Sequence, residues 1–219
     1  MKKKAAALTV GLFLCLTANV GVWKNGPAMA ATSNKPNVIL MLADNVGYGD
    51  IGAFQGGEIR GMPTPRIDRL ASEGLTLTQF ITEPGCTPSR AGLNTGRYAH
   101  RSGLGSIIVT GTPNTLLDKE ITMAELFKSQ GYATAMTGKW HLGAEKQSLP
   151  TSQGFDEYRV GVLETTDSTL YCPNMEQAGF PETAISAAAP RIWEGDAQNG
   201  LKPVREYTVE YRKQVEGDI

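Results

Sequence analysis

The residues best suited to chemistry stand together in Gly85-Cys86-Thr87-Pro88-Ser89-Arg90-Ala91-Gly92-Leu93-Asn94-Thr95-Gly96-Arg97. Pro88 fits the first position of a helix, where its fixed φ is helical and its missing N–H would have no partner. Cys86 then lies at the mouth of that helix, where free backbone N–H groups and the positive end of the dipole favour an anion. Arg90, four residues on, projects to the same face as Cys86. A reactive side chain, an anion-friendly helix end and a guanidinium converge on one point, which suits a tetrahedral oxyanion ester.

Two further clusters supply what such a site needs. Asn37-Val38-Ile39-Leu40-Met41-Leu42-Ala43 runs directly into Asp44-Asn45-Val46-Gly47-Tyr48-Gly49-Asp50. The first part is a near-continuous apolar run, as expected of a strand buried on both faces. Asp44 and Asn45 would sit at its carboxyl end, the place where open α/β sheets bind ligands. A plain Asx turn would use the same residue types, but two oxygen donors delivered by a buried strand favour a metal site for calcium or magnesium. In Gly138-Lys139-Trp140-His141-Leu142-Gly143, Lys139 and His141 share one side if the extended chain continues through them.

The elements that position these clusters read as alternating helices and strands. Thr64-Pro65 opens a helix with Gly74 as its stop, and Leu75–Phe80 reads as a second strand leading toward Cys86. Thr122-Met123-Ala124-Glu125 is a capping box, Gly131 ends that helix, and Tyr132–Thr137 is a third strand. Three strands ending in functional side chains, with helices between, predict an α/β fold with a mostly parallel sheet and one active edge. Residues 98–118 read as loop, with a short apolar insert at Ile107-Ile108-Val109, and His100 within it takes no role. Gly103-Leu104-Gly105-Ser106 is no phosphate loop, because no Gly-Lys-Ser/Thr follows. Thr183–Pro190 reads as an excursion and Val204–Tyr211 as a further strand.

Lys2-Lys3-Lys4, the apolar Ala5–Val22 stretch and Ala28-Met29-Ala30 compose a secretory signal peptide over residues 1–30, with a mature start at Ala31. The apolar run is short for a membrane anchor and is followed by a cleavage site, so no stable anchor is expected and the protein would be secreted or periplasmic. Residues 1–30 carry four lysines and no acid; with 21 basic and 22 acidic residues in all, the mature net charge is −5. That charge gives no support to nucleic-acid binding. The mature chain keeps Cys86 and Cys172. In an exported protein these could form a disulfide, although the surroundings of Cys86 favour chemistry.

Cys86-Thr87-Pro88-Ser89-Arg90, with Leu93 and Thr95-Gly96-Arg97, resembles the signature of the type I sulfatases, arylsulfatase-like group. The stretch from Asn37 to Asp50 and Gly138-Lys139-Trp140-His141-Leu142-Gly143 resemble that family's other N-terminal motifs in the expected order. The resemblance implies an alkaline-phosphatase-like α/β fold, a bound calcium, and a cysteine oxidised to formylglycine (3-oxoalanine) by the formylglycine-generating enzyme. It implies that Cys86 becomes the formylglycine and that Asp44, Asn45 and the modified Cys86 ligate the metal. Arg90 would orient the aldehyde hydrate, Lys139 would bind the sulfate, and His141 would handle protons. Asn45 departs from the family's usual aspartate there; its amide oxygen can ligate, with one negative charge fewer.

The activity implied is hydrolysis of a small-molecule or glycan sulfate ester, because a hydrate has one hydroxyl to attack sulfur and a second whose deprotonation expels sulfate. Two alternatives stand beside it: a phosphonate or phosphate monoester hydrolase on the same scaffold, and an inactive fragment or pseudoenzyme. The family's remaining calcium ligands, an Asp-Asn pair, and a further His and Lys have no match here: the only histidines are His100 and His141, and no Asp-Asn pair follows position 45. Residues 31–219 therefore read as the N-terminal part of a catalytic domain, expected to be inactive alone and to expose one side of an incomplete sheet.

Overall fold

A computed structural model describes residues 35–108, 114–164, 177–179, 181, 191–208, 210–211 and 214. The chain divides into two units, Met1–Ala43 and Asp44–Ile219. In the first, residues 35–43 form no regular secondary structure and their apolar side chains face solvent, Ile39 being 84% exposed. The buried strand expected over Asn37–Ala43 is therefore not formed.

In the second unit, the chemistry of each helix end is visible in the sequence. Helix α1 (Pro65–Glu73) has proline in its first turn and Gly74 at its C-cap. Helix α2 (Cys86–Thr95) runs from an extended Gly85 to Gly96, whose φ of 65° lets its N–H reach the Gly92 carbonyl. Helix α3 (Met123–Ser129) closes the expected capping box: Glu125 N–H donates to Thr122 Oγ1 at 3.1 Å, and Thr122 N–H donates to Glu125 Oε2 at 2.8 Å. The Thr122 hydroxyl also donates to the Gln153 carbonyl at 2.7 Å, tying the start of α3 to the chain ahead of β2.

Strand β1 (Ala135–Lys139) pairs in parallel with β2 (Glu157–Val162). Strands β3 (Arg191–Asp196) and β4 (Gly200–Glu206) continue the sheet in the order β1-β2-β3-β4 through two antiparallel pairings. The sheet is thus mixed, with its parallel pairing at the edge that carries Lys139. The β3–β4 turn is set by Asp196, whose Oδ1 accepts from the Gln198 and Asn199 N–H groups. The strand expected at Val204–Tyr211 begins earlier, and by 210–211 the chain is helical.

Trp140 and Leu142, immediately after β1, are fully buried, as is Tyr158 of β2. They pack with Ala91 of α2, Ala124 of α3, Leu104, Leu116 and Phe155 in one core. Trp140 meets Phe155 edge to face at 6.2 Å between centroids, and its indole N–H donates to the Ser148 carbonyl at 2.7 Å. The strand expected over Leu75–Phe80 is absent: the segment is coil and turn, and Leu75 and Ile81 are each 85% exposed. Strand propensity becomes a strand only where another backbone takes up its N–H and C=O groups, and no described residue does so here. Thr183–Pro190 and Cys172 lie outside the described residues.

Candidate active site

Helix α2 starts at Cys86, earlier than Pro88 alone implies, because Gly85 serves as N-cap and its carbonyl accepts the Ser89 N–H at 3.0 Å. Cys86 is therefore within the first turn, half-buried and a free thiol, with no disulfide. Arg90, one turn on, is 7% exposed. As the i, i+4 spacing predicts, both reach one group, the Asp44 carboxylate: Cys86 Sγ lies 3.7 Å from Oδ1, and Arg90 Nη2 lies 3.5 Å from Oδ2.

Lys139 at the end of β1 completes the cluster. Its ammonium donates to Asp44 Oδ2 at 2.7 Å and to Cys86 Sγ at 3.3 Å. Arg90 Nη1 donates to the Lys139 carbonyl at 2.5 Å, so one guanidinium spans the strand end and the carboxylate. Four side chains from three separated stretches of sequence thus meet at one helix mouth. Asn45, next to Asp44, is exposed with a left-handed backbone, φ 60°.

The charges adjust one another. Burial alone would raise the Asp44 carboxyl; the hydrogen bond and charge of Lys139, the charge of Arg90 and the Cys86 contact outweigh it, so its pKa lies below the ordinary 3.8. Burial lowers the Arg90 pKa and the Asp44 charge opposes that change. Burial likewise pushes His141 below 6.5; the Ile108 carbonyl pulls it up, and the Lys139 and Arg90 charges push it further down.

His141 does not extend the strand beside Lys139. Its φ of 56° turns the chain, and its imidazole is buried with Nε2 2.9 Å from the Ile108 carbonyl. A carbonyl can only accept, so Nε2 carries the hydrogen and Nδ1 holds a lone pair. Nδ1 is buried with no hydrogen-bond partner. Thr87, fully buried, holds this arrangement: its hydroxyl donates to the His141 carbonyl at 3.0 Å and accepts the Ile108 N–H at 3.1 Å. Thr87 sits inside the cysteine motif, yet no sequence signal distinguishes its hydroxyl from a surface one. The apolar Ile107-Ile108 pair is the sequence hint that this part of the chain enters the core, where Ile108 is buried.

Calcium takes six to eight oxygen ligands. Asp44, held ionised, and the amide of Asn45 are hard donors of the right kind. Among the described residues no group of three or more His, Cys, Asp and Glu side chains is arranged to hold a metal ion. These two residues match calcium in the kind of donor they offer.

A thiol, a carboxylate and two cations thus stand together at a helix N-terminus, at the edge of an α/β sheet, an arrangement whose charge suits an anion. The Sulfatase family profile matches residues 36–204, most of the chain, and the protein belongs to that family. It is 40% identical to mouse (Mus musculus) steryl-sulfatase over 178 residues, covering 75% of this chain and 28% of that protein. It is 39% identical to the arylsulfatase of Klebsiella aerogenes over 211 residues, covering 86% of this chain and 42% of that protein. The crystal structure of PsFucS1 sulfatase from Pseudoalteromonas sp. aligns with a TM-score of 0.70 at 34% identity, over 81% of this chain and 37% of that one. The chain thus spans between about a quarter and two fifths of the length of these relatives, and the fold is the alkaline-phosphatase-like fold of sulfatases.

Proposed function

We propose that this chain carries the nucleophile half of a sulfuric ester hydrolase site, acting on a small-molecule or glycan sulfate ester. The observation that carries the reading is the convergence of Cys86, Asp44, Lys139 and Arg90 at the start of α2. Cys86 is the precursor of formylglycine, installed by the formylglycine-generating enzyme, and residues 1–30 direct export to the periplasm or beyond. Asp44, Asn45 and the modified Cys86 would hold part of a calcium site; bound calcium supplies charge that offsets the sulfate oxygens.

The chain's own residues account for the rest. The Lys139 ammonium and the Arg90 guanidinium bind and neutralise the anionic ester, in fixed positions that require no reorganisation during reaction. Arg90 is anchored through Nη1 on the Lys139 carbonyl, so its second nitrogen keeps its aim. His141 Nδ1 is the proton acceptor, kept neutral near pH 7 by burial and by its two cationic neighbours. No described group beyond these completes the metal site, so residues 31–219 alone are expected to release no sulfate.

The test is the mass of the peptide containing Cys86 after expression in a host with the maturation enzyme. Conversion of CH2-SH to CHO lowers it by about 18 Da. An unmodified thiol in such a host, or a loss of about 2 Da that reverses on reduction, would remove the reading.

A further inference from the structure

The β1–β2 ladder loses register where β1 delivers Lys139. Thr137 faces Arg159 and Gly138 faces Gly161, which leaves Val160 as an extra residue on β2. Val160 takes φ 45°, a costly conformation for a β-branched residue, and Gly138 opposite takes φ 87°. Such backbone persists only where its surroundings over-determine it.

The group that does so is Tyr158. Its side chain is fully buried, and its ring lies so close to Gly161 that a Cβ there would collide with it. Its hydroxyl donates to the Gly138 carbonyl at 2.8 Å. The next carbonyl, that of Lys139, accepts from Arg90. Two successive carbonyls at the irregularity are thus taken by side chains, and the residue between them sends its ammonium to Asp44 and Cys86. Burial holds the Tyr158 phenol far above its ordinary pKa, so it remains a donor throughout the working range.

We propose that Tyr158 is a positioning residue: through the Gly138 carbonyl and the glycine at 161 it fixes the bulge that aims the Lys139 ammonium into the site. Its consequence for anion binding rests on the reading of Lys139 given above; the positioning itself does not.

Tyr158→Phe removes one hydroxyl and leaves the ring in place. In protein labelled with 15N-lysine, the Lys139 ammonium resonance is expected to move toward those of solvent-exposed lysines in this variant. Gly161→Ala, which displaces the ring, is expected to do the same. Affinity for inorganic sulfate should fall about three- to tenfold in Tyr158→Phe. In a Lys139→Gln background the same change should cost nothing further, because Tyr158 acts through Lys139.

An unchanged Lys139 resonance in Tyr158→Phe overturns the proposal, as does an equal loss of sulfate affinity in both backgrounds. Unfolding of both variants also counts against it, since Tyr158 would then be merely structural. A shifted Lys139 resonance in a protein that binds no sulfate supports the positioning role and removes the functional reading instead.

Discussion

Arg90 shows how much of this site depends on the shape of one side chain. Its two terminal nitrogens address different partners, the Lys139 carbonyl and the Asp44 carboxylate. A lysine carries the same charge but cannot span both. Arg90→Lys should therefore destabilise the protein by about 1–3 kcal/mol, measured as a lower urea midpoint, because one buried partner loses its donor. His141 gives a pH prediction. Its folded pKa is depressed below 6.5, so its contribution to stability is complete above that value. As pH falls through 6.5 the unfolded chain takes up a proton that the folded one refuses, and stability declines. His141→Gln should flatten that limb between about pH 7 and 5 in thermal denaturation. Among residues, Cys86 and Arg90 were legible because helical spacing is local. Thr87 was not, because its partner His141 lies 54 positions away. Tyr158 was silent for the same reason: a buried hydroxyl reveals its role only through the backbone that folds against it.

At the scale of elements, local signals were sufficient for helices and insufficient for strands. The α3 capping box closes within its own turn, and proline and glycine mark the ends of α1. Thr122→Ala should cost about 1–2 kcal/mol, readable as a lower melting temperature, because it removes the cap. It also removes the hydrogen bond that Thr122 makes to the Gln153 carbonyl. The segments Asn37–Ala43 and Leu75–Phe80 have the composition of strands but form no ladder. Their pattern records a preference for a pleated, half-buried surface, and that surface depends on non-local partners. The strand near Lys139 formed because β2 lies beside it, and the bulge that shapes its end follows no pattern in the sequence of β1.

Over the whole chain, the profile match across residues 36–204 and the structural match agree on one family. Among the described residues no helix is long and apolar enough to cross a membrane. Leu75, Phe80 and Ile81 are largely exposed in a chain that covers 28% of one relative and 42% of another. Apolar exposure of this kind marks a surface suited to covering by further protein. The cations at the site do not by themselves separate a sulfate ester from a phosphate ester, since both present tetrahedral oxyanions to Lys139 and Arg90. The proposed hydrolysis of sulfate esters at the Cys86 cluster is read on the full-length protein, matured by the formylglycine-generating enzyme and supplied with calcium. Release of sulfate from an aryl sulfate would be measured beside release of phosphate from the matching aryl phosphate, in wild type and in Cys86→Ala. The proposed function requires sulfate release that exceeds phosphate release and disappears in Cys86→Ala. Sulfate release that survives Cys86→Ala, or hydrolysis of the phosphate ester alone, would contradict it.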